Sequence, residues 1–288
     1  MNVAQRPEDL VPARRAAAIG TFDGVHRGHA RVLEAALAAG LRPAVVTFDP
    51  HPRTVLGGEV ELLATLERRL ELLDAMGFED ALVVRFTDGV AALSPEDFAE
   101  TVLRAAGAEV VAAGEGFRFG RRRAGDLALL ARLGFDVRPV PLVENVSSSH
   151  IRALLVAGEV AKAAQLLGRP PEVEGTVVTG DRRGVTLGFP TANLEIPTGL
   201  LVPALGIYAG SALGRPAAIS IGTNPHYGGT ERRVEAHILD FDGDLYGRRL
   251  VVELWERLRS EAAFGSEAEL VAAIDEDVRR TRSATRPG

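Results

Sequence analysis

The chain of 288 residues contains no cysteine, only one lysine and no apolar run near the roughly 20 residues that a membrane-spanning helix needs. Without cysteine it cannot form disulfides, thiolate zinc sites or thiol nucleophiles. The one lysine, Lys162, lies between two alanines, so no P-loop of the form G-x-x-x-x-G-K-[ST] exists. Because the first residues also lack a signal-peptide core, we expect a cytoplasmic protein with no membrane partner.

The formal net charge is −6, which is unfavourable for a protein that coats nucleic acid with a broad basic face. We therefore expect no nucleic-acid partner. Small phosphorylated ligands are compatible with this charge, and ATP, if it binds, must be held without a P-loop. The length allows one large or two medium domains, each with a core of its own.

Buried apolar runs alternate with amphipathic segments through the first half of the chain. Predicted strands at 16–19, 43–48, 81–86, 109–113 and 135–141 alternate with helices at 28–40, 65–77, 94–107 and 126–133. Strict alternation of this kind predicts an α/β fold with a doubly wound parallel sheet. In such a sheet the ligand site lies at the carboxyl ends of the strands.

The pattern changes at Gly168-Arg169-Pro170-Pro171, where proline ends any preceding helix. We predict a domain boundary there, with domains 1–168 and 169–288. Beyond it, short β-rich runs are separated by glycine turns, and an amphipathic helix starts near Ser266. This half is predicted to form a small all-β barrel or sandwich with a C-terminal helix packed across it.

The first predicted strand leads into a turn and a helix with the sequence Gly20-Thr21-Phe22-Asp23-Gly24-Val25-His26-Arg27-Gly28-His29. A helix start of this kind offers free N–H groups to an anion. His26 and His29 are three apart and face one side, and Gly28 leaves room for a nucleotide. Two imidazole N–H groups can stabilise charge on a phosphate under attack. The alternative is a capped helix start with two surface histidines.

The H-x-G-H turn resembles the nucleotidyltransferase superfamily, and residues 22–29 are similar to its prokaryotic FAD synthetase branch. Segments 49–52, 114–120 and 147–152 agree with that branch in order. The resemblance implies that His26, His29 and Arg152 act in catalysis. It also implies contacts to nucleotide or flavin from these residues: Gly20, Thr21, Phe22, Asp23, Gly28, His51, Phe117, Phe119, Ser147 and Ser148.

Simpler interpretations exist for parts of this set. Phe117 and Phe119 could belong to the core, as aromatic residues in such runs often do. The serines before Arg152 could be an ordinary helix cap beside a solvated arginine. Gly116 departs from the family, which usually has an amide or carboxylate side chain at that position.

The second half contains a glycine-rich stretch from Gly180 to Asn193 that matches neither a P-loop nor the protein-kinase loop. Thr191 and Asn193 would place two neutral oxygen atoms on one side of an extended segment, which suits magnesium. Glu235 is a carboxylate inside a predicted strand, either a buried salt-bridge partner or a general base. A structural turn is the alternative for the stretch itself.

This stretch resembles riboflavin kinase, whose Gly-Phe-Pro-Thr-Ala-Asn motif is intact at 188–193. The resemblance implies that Thr191 and Asn193 hold Mg²⁺ and that Glu235 takes the proton of the ribityl 5′-hydroxyl as it attacks the γ-phosphate of ATP. Val185 departs from the arginine of many members. Further contacts to nucleotide or flavin are implied for Gly180, Gly188, Phe189, Pro190 and Asn224.

Together the two halves resemble the bifunctional riboflavin kinase/FAD synthetase family from about Arg15 to Val278. The resemblance implies riboflavin, FMN, FAD and ATP as ligands. A flavin-binding module with decayed catalysis is a second hypothesis, against which the intact histidines and Glu235 argue. A hydrolase is rejected, because the near match to G-x-S-x-G at 218–222 lies in the all-β half, without the strand-to-helix turn that this motif needs.

Overall fold

The computed structural model describes residues 1–180, 188–223 and 232–288 and divides the chain into two compact units. The first unit comprises Met1–Glu61 and Thr65–Ser147, and the second comprises Leu62–Ala64 and Ser148–Gly288. None of the helices in the described ranges combines the length and hydropathy of a membrane-spanning segment.

The first unit is built on a six-stranded sheet whose strands all run parallel, in the order β1-β4-β3-β2-β5-β6. The strands are β1 (Asn2–Ala4), β2 (Arg15–Ile19), β3 (Arg42–Asp49), β4 (Asp80–Arg85), β5 (Ala108–Gly114) and β6 (Asp136–Val140). The helices are α1 (Arg27–Leu37), α2 (Pro52–Val55), α3 (Leu66–Ala75), α4 (Asp88–Ala92), α5 (Pro95–Phe98), which continues as a π-helical turn (Ala99–Arg104), and α6 (Leu127–Arg132). The predicted doubly wound parallel sheet is confirmed.

Both faces of this sheet are buried, which explains why its strands are almost wholly apolar. Successive residues of β2 point to opposite faces. Ala16 packs in the same cluster as Leu33 of α1, whereas Ala17 packs in the cluster that contains Leu103 of the π-helical turn. The two layers of helices therefore hold β2 rigidly, and β2 leads directly into the turn before α1.

The second unit contains a closed antiparallel barrel with the strand order β10-β11-β8-β7-β12-β9. Its strands are β7 (Glu172–Val178), β8 (Ala192–Glu195), β9 (Gly206–Ala212), β10 (Arg215–Thr223), β11 (Arg232–Ile238) and β12 (Arg249–Arg259). Two helices, α7 (Ser148–Val156) and α8 (Val160–Leu167), precede the barrel, and α9 (Glu267–Ser283) follows it and packs on β9 and β10. Of the two predicted all-β forms, the chain adopts the barrel, and the C-terminal helix is confirmed.

The division between the units differs from the boundary predicted at Gly168. The structure places α7 and α8 in the second unit, which starts at Ser148. The reason is packing: Ile151 of α7 and Val160 of α8 share one buried cluster with Val173 and Tyr208 of the barrel. The glycine and prolines after α8 mark the end of a helix, but the change from one core to the other comes earlier in the chain.

A buried ion network joins the amino-terminal ends of the central strands, at the edge of the sheet opposite the turn after β2. The carboxylate of Asp80, with no solvent exposure, accepts hydrogen bonds from Arg15 Nε at 2.7 Å and from Arg42 Nε at 2.7 Å. Burial alone would raise the pKa of the Asp80 carboxyl, but the hydrogen bonds from Arg42 and Arg15 hold it below its usual value.

Replacing Asp80 with asparagine removes the carboxylate partner of the buried Arg15, whereas the partly exposed Arg42 keeps its ion pair with Glu79 at 2.7 Å. We expect the free energy of unfolding to fall by about 3–5 kcal/mol, because breaking a buried ion network leaves uncompensated charge in the core. Urea titration followed by circular dichroism measures this. Because the pKa of Asp80 is lowered in the folded state, its stabilisation is present above about pH 4 and is lost as pH falls through that lowered pKa.

The matched control is Asp136→Asn, which breaks an exposed ion pair with Arg138 at 2.7 Å. An exposed pair of this kind contributes little, so this variant should unfold close to the unaltered protein. Equal losses in the two variants would contradict the assignment of Asp80 as the central charge of the network.

Candidate active sites

The turn between β2 and α1 has an unusual backbone. Phe22 and Val25 have φ angles of 49° and 41°, in the left-handed region that bulky and β-branched side chains rarely adopt. Both side chains are buried. Such conformations persist only where the surroundings determine them, and they are typical of functional sites.

Two donors hold the carbonyl oxygen of Thr21 in this turn. Thr47 Oγ1 of β3 donates to it at 3.2 Å, and Arg69 Nη1 of α3 donates at 2.6 Å. The ring of Phe22 packs over Gly20, where an added Cβ would lie 3.1 Å from the ring. The turn is therefore fixed from the sheet, from a neighbouring helix and by its own aromatic side chain.

The two histidines of the motif lie together at the start of α1. His26 caps the helix, its Nδ1 accepting a hydrogen bond from the backbone N–H of His29 at 3.2 Å. This leaves Nε2 of a neutral His26 as the nitrogen that carries the proton. The two imidazole rings stack, with centroids 3.6 Å apart and planes 13° from parallel.

Gly28 serves this arrangement in a way that differs from the expectation. An added Cβ would lie 3.1 Å from His26 Cε1 and 3.2 Å from His26 Nδ1. Gly28 therefore leaves space for the His26 ring, in addition to any space that it leaves for a ligand.

The imidazole of His29 is held in its neutral form. Burial is the largest cause that lowers its pKa well below 6.5, and the charges of His26 and Arg69 lower it further. Within the described residues, the buried Nδ1 of His29 has no hydrogen-bond partner. At neutral pH His29 is therefore an uncharged imidazole near the positive end of α1.

Phe117 and Phe119, which were expected beside a flavin, differ in their burial. Phe119 is buried and packs between Phe98 and Phe117, with ring centroids 5.6 Å away on each side. Phe117 is only half-buried, so it alone of the pair keeps an accessible face. An added Cβ at the exposed Gly116 would meet no atom within 4 Å, so the place of the family's polar side chain is open space.

The other residues expected at this site are spread over several elements. His51 follows β3 and caps α2, its Nδ1 accepting a hydrogen bond from the backbone N–H of Arg53 at 3.1 Å. Ser147 is the last residue of the first unit. Ser148 and Arg152 lie on α7 of the second unit. Their roles stay predictions.

Two cavities are lined by described residues of the second unit. The larger, of about 650 Å³, is lined by Gly180, Pro190, Thr191 and Asn193, together with residues 241–246. The smaller, of about 290 Å³, is lined by Phe189, Thr191, Glu235 and His237 of the barrel and by Leu270 and Ile274 of α9. Thr191 lines both cavities, so they lie next to each other at this residue.

Polar side chains on β8 and β11 converge beside this junction. Asn193 and Glu235 are direct partners in the antiparallel pairing of the two strands. Thr191 Oγ1 donates a hydrogen bond to Glu235 Oε2 at 3.1 Å. The structure therefore brings together the three residues that the sequence assigned to metal binding and proton transfer.

A fourth residue in this cluster, Arg233, was not predicted. Its Nε lies 2.9 Å from Asn193 Oδ1 and 2.9 Å from Glu235 Oε1, and its Nη2 donates to Asn193 Oδ1 at 2.6 Å. Residues 233 and 235 share a face of β11, and this period of two is the signal that could have found it. The oxygens of Asn193 and Glu235 thus surround one positive charge.

Three further observations concern residues that the sequence analysis singled out at this site. Asn224 and Val185 lie outside the described residues. Gly188 has a φ angle of 86°, which only glycine adopts without strain. In the described ranges, no group of three or more His, Asp or Glu side chains is arranged to hold a metal.

Two family models match this chain, one in each half. The model of the riboflavin kinase family matches residues 167–285, and that of the FAD synthetase family matches residues 9–152. A bifunctional riboflavin kinase/FMN adenylyltransferase of Listeria monocytogenes is 36% identical across 92% of this chain and 91% of that protein. The chain belongs to the bifunctional riboflavin kinase/FMN adenylyltransferase family. The enzyme therefore phosphorylates riboflavin to FMN and adenylylates FMN to FAD, with ATP as co-substrate.

Two more relatives extend this finding. The Escherichia coli K12 protein of the same name is 34% identical across 96% of this chain and 93% of that protein. A crystal structure described as a macrolide-efflux protein from Streptococcus pneumoniae is 30% identical, with a TM-score of 0.86, and covers 98% of this chain and 99% of that one. The likeness therefore extends over both units in sequence and in fold.

The close contact between Gly180 and Asn193 gives a test of the barrel site. A Cβ at residue 180 would lie 2.2 Å from Asn193 Nδ2, so Gly180→Ala must displace that side chain. We expect FMN formation to fall roughly 10-fold or more, because sub-ångström placement governs such steps. FAD formation from added FMN should be unchanged. Chromatographic separation of the flavins measures both reactions.

Gly116→Ala is the matched control, because its added Cβ meets no neighbour. It should leave both reactions near the rates of the unaltered enzyme. Unchanged FMN formation in Gly180→Ala would mean that the position of the Asn193 side chain is not required.

Proposed function

We propose that each reaction has its own site in the enzyme: FMN is adenylylated at the turn before α1, and riboflavin is phosphorylated at the junction of the two barrel cavities. The observation that carries the second assignment is the position of Thr191 on the wall of both cavities, hydrogen-bonded to Glu235. Thr191 and Glu235 are therefore suited to act on a group transferred between a nucleotide in one cavity and a flavin in the other.

The two cavities suit different substrates. The larger one has the volume for a nucleotide and includes the backbone of Gly180, which is consistent with bound ATP. The smaller one has apolar walls from Phe189, Leu270 and Ile274, which suit the flat flavin ring. Riboflavin in this position directs its 5′-hydroxyl toward Thr191.

In this arrangement Glu235 is the general base. It accepts the proton of the ribityl 5′-hydroxyl while the hydroxyl oxygen attacks the γ-phosphorus of ATP, and ADP leaves with the electrons of the broken phosphorus–oxygen bond. Thr191 Oγ1, which donates to Glu235 Oε2 at 3.1 Å, orients the carboxylate. Gly188, Phe189, Pro190 and Asn224 belong to the proposed binding surface.

Thr191 and Asn193 are the residues proposed to hold Mg²⁺. Their fit is supported by Arg233, because Asn193 Oδ1 already binds a cation in the structure. A guanidinium and a metal ion are both cations, and neutral side-chain oxygens can bind either. When bound, magnesium neutralises charge on the phosphate oxygens. Arg233 must release Asn193 for the metal to enter.

At the first site His26 and His29 are proposed to donate hydrogen bonds to the α-phosphate of ATP. An oxygen of the FMN phosphate attacks the α-phosphorus, and pyrophosphate leaves as the phosphorus–oxygen bond breaks. Neutral imidazoles suit this role, because their N–H groups stabilise the developing charge without giving up a proton. Turn residues 20–23, Gly28 and His51 are proposed to contact the nucleotide, and Phe117 the flavin.

Ser147 and Ser148 are proposed to contact the nucleotide phosphates, and Arg152 to act in catalysis, as the family resemblance implies. Serine hydroxyls and a guanidinium are suitable donors to phosphate oxygens. Phe119, by contrast, is enclosed by Phe98 and Phe117, so its proposed contribution is to support the Phe117 ring.

Reciprocal substitutions test the division into two sites. His29→Ala should lower FAD formation from FMN roughly 100- to 1,000-fold, because it removes a positioned donor to the reacting phosphate. Glu235→Gln should lower FMN formation roughly 100- to 10,000-fold, because it removes the base. Each variant is incubated with ATP, magnesium and either riboflavin or FMN, and the flavins are separated by chromatography.

Each variant is the control for the other, since each should retain the reaction that the other loses. Loss of both reactions in one variant that keeps its circular dichroism spectrum would contradict the proposed division.

A further inference from the structure

Arg69 lies on α3 and is one of the most deeply buried charged residues of the first unit, with 3% of its surface exposed. Burying a guanidinium is unfavourable unless it is paired or hydrogen-bonded. Its Nη1 donates to the carbonyl of Thr21 at 2.6 Å, and its Nη2 donates to that of Phe48 at 3.4 Å. Its buried Nε has no hydrogen-bond partner in the described residues. A packing role alone does not require a charged group here.

The electrostatic surroundings of Arg69 link it to the catalytic turn. Burial lowers the pKa of the Arg69 guanidinium, and the charges of Asp23 in the turn and Asp49 at the end of β3 oppose that effect. The positive charge in turn acts on His29, whose pKa it lowers. Arg69 is therefore coupled to both carboxylates and to one of the two stacked imidazoles.

The hydrogen bond to Thr21 also orients a backbone donor. In a trans peptide the C=O of one residue and the N–H of the next point in opposite directions. Because the Thr21 carbonyl faces Arg69, the N–H of Phe22 faces away from it. Neither Thr21 nor Phe22 donates a backbone–backbone hydrogen bond within the described residues.

We propose that Arg69 is a positioning residue for FMN adenylylation: its guanidinium fixes the Thr21 carbonyl and supplies the buried positive charge beside the stacked pair His26 and His29. Through the first contact it aims the amide of Phe22 at the bound phosphate. Through its charge it adds to the effect of burial, which disfavours protonation of His29. Arg69 itself touches no substrate in this account.

The charges that act on His29 are few, which makes the effect measurable. Burial is the main cause of the lowered pKa of His29. The charges of His26, just before α1, and of Arg69 on α3 lower that pKa further. Removing a positive neighbour raises the pKa of an imidazole. Loss of Arg69 should therefore shift the titration of His29 toward higher pH.

Two substitutions separate the charge of Arg69 from its hydrogen bonds. Arg69→Met removes both, and Arg69→Lys retains the charge but loses the planar fork. In the full chain, the His29 ring is followed by NMR during a pH titration without ligands and is assigned by comparison with His29→Gln. We expect His29 to titrate at higher pH in Arg69→Met and near its original pH in Arg69→Lys.

The rate of FAD formation from FMN is the second measurement. We expect a loss of roughly 10- to 100-fold in kcat/KM for Arg69→Met, the effect of removing a charge-assisted hydrogen bond. Arg69→Lys should lose less. FMN formation by the barrel should stay unchanged in both variants. Arg68→Met, which breaks a half-exposed ion pair with Glu71 on the same helix, is the matched control and should alter neither reaction.

Unshifted titration of His29 in Arg69→Met, or FAD formation within about 2-fold of the unaltered enzyme, would overturn the proposal. If Arg69→Met does not fold, as judged by circular dichroism, Arg69→Lys decides. A lysine variant with unchanged FAD formation would then show that the fork to the Thr21 carbonyl is not needed.

The proposal depends on the placement of adenylylation at the turn, and the two can fail separately. If His29→Ala retains FAD formation, the proposed site is wrong whatever Arg69 does. If His29→Ala loses FAD formation while Arg69→Met retains it, only the role of Arg69 is wrong. The ligand-free titration of His29 does not depend on either activity.

Discussion

The geometry of the proposed first site depends on the carbonyl oxygen of Thr21. It accepts hydrogen bonds from Thr47 on β3 and from Arg69 on α3, and these two contacts set the direction of the turn that carries the histidines. The strained φ angles of Phe22 and Val25 persist because this surrounding structure determines them. The positions of the two imidazole rings thus depend on tertiary packing against a rigid sheet that is covered on both faces.

The proposed barrel site has a different arrangement. Asn193 and Glu235 face each other across β8 and β11, and Arg233 donates to the Asn193 amide and forms an ion pair with Glu235. Both units therefore have an arginine beside their candidate residues, in a chain that contains a single lysine. The planar fork of arginine holds two acceptors at fixed angles, which an ammonium group does not.

Most of the architecture could be predicted from local signals. The alternation of short apolar runs with amphipathic segments predicted the parallel sheet, and in the structure Thr65, Ser94 and Asp126 accept capping hydrogen bonds at helix starts. The motif residues His26, His29, Thr191, Asn193 and Glu235 all lie in or beside the proposed sites. Such features depend on neighbours close in sequence, so one sequence suffices to see them.

Features that depend on distant parts of the chain were not predicted. Arg69 and its acceptor Thr21 are 48 residues apart, and Arg233 and Asn193 are 40 residues apart. The attachment of α7 and α8 to the barrel core is likewise a matter of which apolar faces meet, and the glycine and prolines at 168–171 gave no information about it. Gly28 shows the same limit, because its contact with the His26 ring exists only in the folded turn.

The central claim is that the enzyme has two independent active sites, joined only by FMN. Mixing equal amounts of His29→Ala and Glu235→Gln with riboflavin, ATP and magnesium tests it most directly. FMN made by the first variant should be converted to FAD by the second, so the mixture is expected to form FAD although neither variant does so alone at a comparable rate. A mixture that accumulates FMN without forming FAD would contradict the account.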